Sequence, residues 1–119
     1  MDIHPVNPGH LLVVPNQHAS TIDEVPETVF AQMFIVGRRM GRALRRSGLR
    51  CKGVNLLLAD GAAAGQVVFH SHLHIIPRFQ GNPGSVLMQA GSITVASRDE
   101  LNVHAETIRN SLDQAGETG

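Results

Sequence analysis

Tryptophan and tyrosine are absent from this 119-residue chain, and phenylalanine occurs only four times. That excludes an aromatic-rich core: burial has to rest on Val, Leu, Ile, Met and Ala within a hydrophobic share of 42%. A single cysteine, Cys51, excludes an internal disulfide and an all-cysteine metal knot. No apolar run is long enough to span a bilayer. Excess charge is lacking too. Ten basic residues balance ten acidic ones, so nothing global calls for a nucleic-acid or membrane partner. The start, Met1-Asp2-Ile3-His4-Pro5, has no charged opening followed by an apolar stretch, which argues against a signal peptide and for a cytoplasmic protein. The length predicts one domain over residues 1–119.

Histidine, by contrast, is plentiful. Seven occur, and three of them alternate in His70-Ser71-His72-Leu73-His74-Ile75-Ile76. In a strand, successive side chains point to opposite faces, so a regular strand would align all three imidazoles on one face and turn Leu73 and Ile75 toward a core. A row of titratable rings is costly to bury and points to phosphate chemistry or a metal.

The remaining pattern predicts an α+β fold: an antiparallel sheet of a few strands, one long helix and a C-terminal helix. His10-Leu11-Leu12-Val13-Val14 reads as a short buried strand stopped by Pro15. A long helix is expected over 26–47, with Pro26 in its first turn, Gly48 just past its end, and a buried stripe of Phe30, Met33, Phe34, Gly37, Met40 and Leu44. Arg38, Arg39, Arg42, Arg45 and Arg46 crowd its second half and read as a solvated face that complements the helix dipole. A second strand over 53–59 and the histidine strand over 66–76, stopped by Pro77, form a hairpin. Residues 81–84 form a turn, and a short strand is expected at 93–95. Ser97-Arg98-Asp99-Glu100 is a capping box opening a helix with Leu101, Ala105, Ile108 and Leu112 on its stripe, and the tail at 115–119 should fray.

A neutral imidazole is a competent nucleophile toward phosphorus when its other nitrogen keeps a proton. A neighbouring histidine can contact phosphate oxygens and protonate a leaving group. Backbone amides of loop 61–65 and the side chain of Gln66 could cradle anionic oxygens. Alternating histidines could equally ligate zinc, and spacing alone leaves both readings open.

The segment from Gly65 to Arg78, with the blocks Asp2-Ile3-His4-Pro5, Pro8-Gly9-His10-Leu11-Leu12-Val13-Val14-Pro15, Asn55-Leu56-Leu57-Leu58 and Asp60-Gly61, resembles the histidine-triad (HIT) family in order and spacing over about residues 2–80. The resemblance implies cleavage at the α-phosphate of a purine nucleotide conjugate, without metal or cofactor, by a homodimer. It implies His72 as the nucleophile, His74 at the phosphate and leaving group, His70 organising the nucleophile, and His10 in support. Asp2 would bond the ribose, and Ile3, Gly65 and Gln66 would complete the substrate-binding set.

Three departures from that pattern stand out. Ala59 replaces a frequent Asn or Gln, and Val67 replaces a frequent Ser or Thr. Each loses a donor to a charged group, worth about 1.5–3 kcal/mol. Relatives also carry a longer segment ahead of the Asp-Ile-x-Pro block, supplying much of the base wall. With only Met1 there, the resemblance implies weak nucleoside discrimination and low turnover.

Overall fold

The computed structural model describes residues 1–2, 5–82, 84 and 97–115, with the backbone alone at 113–115. Ile3, His4, Pro83, the expected strand at 93–95 and the end of the tail lie outside the described residues. Strand β1 (Leu11–Val13) is followed by a short 3-10 turn at Ile22–Glu24, helix α1 (Glu27–Arg46) and strand β2 (Gly53–Leu57). A second 3-10 turn at Ala62–Ala64 leads to strand β3 (Leu73–Arg78), and helix α2 (Arg98–Ala115) closes the order. The result is the expected α+β arrangement, an antiparallel sheet with the order β1-β3-β2. No helix of the described residues is long and apolar enough to cross a membrane.

Strand β3 is central. Leu73 and Ile75, both fully buried, face α1, and Leu11 and Val13 join them from β1 at positions paired with Ile75 and Leu73. Among the described residues strand β1 pairs only with β3, and its residues are half-buried rather than buried as expected. Proline was expected to stop the histidine strand, yet Pro77 lies inside β3, paired with Val54. The missing N–H does no harm because pairing with β1 ends at Ile75. On that open side the Pro77 carbonyl accepts a bond from Asn7 Nδ2 at 2.8 Å.

Helix α1 presents Met33, Gly37, Gly41, Ala43 and Leu44 as its buried side. Phe34, expected in the stripe, is 37% exposed and packs instead on the Phe30 ring at 5.2 Å. Two glycines take the face above the sheet and let the helix approach closely. Pro26 sits just before the helix, as its cap, and Ser47 follows it, the Ser47 hydroxyl donating to the Leu44 carbonyl at 2.7 Å. Arg50 rather than Gly48 takes the left-handed backbone position after the helix, at φ 60°. Arg38, Arg45 and Arg46 are exposed. Helix α2 starts as its capping box predicts, with Glu100 N–H donating to Ser97 Oγ at 3.1 Å. It packs on α1 through Ile108, which joins Ala43 and Leu44 in the core, and through the buried Ser111 hydroxyl, which donates to the Ala43 carbonyl at 2.7 Å.

The two helix glycines make a controlled pair. A methyl at Gly41 would meet only Val54 Cγ1 at 3.8 Å, an ordinary contact. A methyl at Gly37 would sit 3.0 Å from Leu73 Cδ2 and 3.1 Å from Ile75 Cδ1, side chains with no room to retreat. Gly41→Ala should therefore stabilise the fold by up to about 1 kcal/mol, the gain in helix propensity. Gly37→Ala should instead destabilise it by about 1 kcal/mol or more through overpacking. Denaturant unfolding of the two variants checks the opposite signs.

Candidate active site

With Leu73 and Ile75 committed to the core, the alternation of β3 turns His74 to the other face, across from Leu12 on β1. The regular strand expected from residue 66 begins only at Leu73, and His70 and His72 lie on the irregular chain leading into it. The three imidazoles are consequently not in one row. The His72 and His74 rings are neighbours, with centroids 4.8 Å apart and planes at 71°. The His70 ring packs on His18 at 5.2 Å, and its Nε2–H donates to the Pro15 carbonyl at 3.0 Å. The cause is a connection pinned from outside: Ser71 N–H donates to the Ala19 carbonyl at 2.6 Å, which overrides the strand period.

His70 reaches the site through its backbone. Its carbonyl lies 2.7 Å from His72 Nδ1. A carbonyl only accepts, so Nδ1 carries the proton and His72 Nε2 keeps its lone pair. His10 follows the same logic. Val6 N–H donates to His10 Nδ1 at 3.0 Å, so the neutral ring holds its proton on Nε2. That Nε2 is 2.9 Å from His74 Nδ1 and 3.4 Å from Asp2 Oδ2. His74 Nδ1 accepts, and its own proton resides on Nε2. Two backbone groups, Val6 N–H and His70 C=O, thus set the tautomers of three rings.

Burial disfavours the charged forms of His10 and His74. His10 is 2% exposed, and desolvation lowers its pKa from 6.5 to about 4 against the opposing pull of Asp2. Desolvation also lowers His74, helped by His72 and opposed by Asp2. His72 and His74 line a cleft of about 440 Å³ with Asp2, Leu12, Gly65, Val67 and Val68. Asp2 is held there by its backbone N–H, which donates to the His10 carbonyl at 2.9 Å.

The expected anion cradle takes a different form. Gln66 is buried at 4% exposure, and its amide serves the loop. Its Oε1 accepts from Gly61 N–H at 2.7 Å, and its Nε2 donates to the carbonyls of Ser20 at 2.6 Å and Val68 at 3.1 Å. Ala64 N–H and Gly65 N–H donate to Gly61 and Ala62 carbonyls, at 3.0 Å each. Gln66 is therefore a staple for the loop rather than an arm toward phosphate, and the amides of Gly61, Ala64 and Gly65 are already engaged. Gly65, at φ +96°, takes the left-handed turn that brings the chain back to the cleft.

Among the described residues one set of groups has metal-ligand spacing: ligand atoms of Asp2, His10 and His74 lie within 4.8 Å of one another. The donor chemistry does not suit an ion. A metal on His10 Nε2 would drive the proton to Nδ1, where Val6 N–H already points. Sequence reasoning missed the Val6 amide and the Pro15 and Ala19 carbonyls, because backbone groups carry no residue signature. The His18 ring, which belongs to no motif, is exposed and packs against His70.

Comparison with known proteins agrees with this fold. The HIT domain profile matches residues 1–81. The chain is 41% identical over 78 residues to the adenylylsulfatase HINT3 of Arabidopsis thaliana, covering 66% of this chain and 39% of that protein. It superposes with a TM-score of 0.82 on a Zn-bound histidine triad family protein from Mycobacterium smegmatis, at 36% identity, covering 98% of this chain and 77% of that one. A hypothetical histidine triad nucleotide-binding protein from Sulfolobus tokodaii gives a TM-score of 0.80 at 28% identity, covering 96% and 76%. Several curated relatives are longer, and the match spans 59% of their length.

The buried neutral His10 makes stability depend on pH. In the unfolded chain the ring ionises near 6.5, and in the folded chain only near 4. Between these values the unfolded state binds the extra proton, so stability is full above 6.5, falls as pH drops toward 4, and levels off below. Thermal melts should lose several degrees across this window, and His10→Gln should flatten the slope. Equal slopes in the two proteins would show that His10 is not its source.

Proposed function

This chain belongs to the histidine-triad (HIT) family, and from that membership and the cleft geometry we propose that it cleaves a nucleoside α-phosphate bond through a nucleotidyl intermediate on His72. The observation that carries the reading is the 2.7 Å bond from His72 Nδ1–H to the His70 carbonyl, which leaves Nε2 as a lone pair in a cleft beside a second histidine. The substrate class is a purine nucleotide conjugate such as a phosphoramidate or a dinucleoside polyphosphate. The adenylylsulfatase among the relatives and the nucleotide-binding protein among the similar structures support this class.

The chemistry follows from the protons. His72 Nε2 attacks phosphorus and the bond to the leaving group breaks. The departing atom takes a proton from the Nε2 of His74. Burial holds that ring toward its neutral form in the free protein; the bound anionic phosphate and Asp2 oppose this, so in the substrate complex the ring enters the step as imidazolium. Water then attacks phosphorus, the bond to His72 breaks, and the proton of that water returns to His74. The net reaction is hydrolysis to a nucleoside monophosphate. Burial keeps the attacking geometry rigid, and Asp2 offers a carboxylate to ribose hydroxyls at one end of the cleft.

Assembly as a homodimer is part of the proposal. Among the described residues strand β2 pairs only with β3 and forms an edge of the sheet, with Leu56 and Leu57 exposed by 43% and 41%. Such an edge is a template for pairing with a second copy. Sedimentation should give a dimer mass for the chain and a monomer mass for Leu57→Lys. A monomeric parent chain would overturn the assembly.

His72→Ala should abolish turnover of adenosine phosphoramidate, by a factor of at least about a thousand, with an unchanged melting temperature. His74→Ala should slow turnover less completely. Full activity in His72→Ala would rule out the covalent route.

A further inference from the structure

We propose that Val67 and Val68 form an apolar lip selecting substrates whose leaving group is an uncharged, apolar amine. The inference rests on the hydrolytic reading above and narrows it from nucleotide conjugates in general to nucleoside phosphoramidates of apolar amines.

Three consecutive apolar side chains stand in water at the mouth of the cleft. Val67 is 85% exposed, Val68 62% and Phe69 49%, and the two valines line the cleft itself. Single exposed apolar residues are ordinary, but a run of them beside a cleft marks a contact surface. The run is held there by other residues: the Gln66 amide anchors the loop on one side, and the Ser71 N–H bond to Ala19 anchors it on the other.

Charge points the same way. Among the described lining residues the only formally charged side chain is the Asp2 carboxylate. Desolvation holds His10 and His74 toward their neutral forms. The arginines that could meet a polyphosphate line a separate groove between α1 and β2, formed by Arg38, Arg42 and Arg45 with Val54 and Leu56. The amides of Gly61, Ala64 and Gly65 are bonded within their loop. A polyphosphate leaving group would bring several negative charges beside a carboxylate, with no Lys or Arg of this lining to meet them and the His74 imidazolium already engaged by the α-phosphate. An apolar amine brings none, and its carbon chain covers the exposed valines. With the ribose on Asp2, the second substituent of the phosphate runs along 65–68.

The test compares adenosine phosphoramidates of butylamine and of γ-aminobutyrate, equal in reach and different in terminal charge. The butyl compound should be preferred about tenfold in kcat/KM, and Val67→Ser/Val68→Ser should shrink the ratio to within about twofold. Both side chains are exposed, so the variant should fold, which its melting temperature verifies. Equal handling of the two compounds, or a ratio unmoved by the double substitution, would overturn the lip. If neither compound is turned over, the hydrolytic reading fails. The ratio of their affinities by calorimetry then decides the lip on its own, by the same two criteria.

Discussion

The packing of Leu73 and Ile75 against the glycine face of α1 governs everything else in this protein. Both side chains are fully buried, and the nearest helix position, Gly37, has no side chain to keep them away. Alternation along β3 follows from that contact, because a slip of one residue would exchange its two faces. His74 therefore stands opposite the core, across from Leu12, and His10 is brought within 2.9 Å of it from the residue before β1. The site exists because the core leaves β3 no second register.

Within the site, backbone groups decide the protonation chemistry. An imidazole can place its proton on either nitrogen at small cost, so an isolated histidine has no fixed role. Here Val6 N–H faces one ring and His70 C=O another. The low local dielectric strengthens these bonds and disfavours extra protons. The resulting tautomers place a lone pair on His72 Nε2 and an N–H on His74 Nε2. The same alignment makes His10 a poor metal ligand.

The connection from β2 to β3 shows how one residue can serve a site without touching substrate. Gln66 spends its amide on Gly61, Ser20 and Val68, and so holds together the loop that carries the apolar rim. Polar groups satisfied inside a loop are unavailable to an anion, which leaves the histidines, Asp2, Leu12 and the two valines as the side chains that face the cleft. An apolar rim with a carboxylate and neutral imidazoles is a different electrostatic environment from the arginine-lined groove between α1 and β2.

Local patterns were enough to read several elements from the sequence. The apolar spacing of the helix expected over 26–47, the Ser97 cap and the apolar run of β2 depend on neighbours within a turn or a strand, and each formed close to its expected bounds, whereas β3 begins at Leu73 rather than at residue 66. The order of the histidine motif and the upstream blocks marked the family. Tertiary structure decided the rest. Pro77 stays in the strand because β1 ends before it, a fact about another element. Phe34 turns outward because the sheet needs glycines beneath it. The His70 ring leaves the row because Pro15 and Ala19 capture that stretch of backbone, and Gln66 turns inward because Ser20 offers it an acceptor. Residue spacing determines which groups a chain can bring together along itself, whereas the proton positions that make them reactive depend on backbone donors and acceptors contributed by remote parts of the fold.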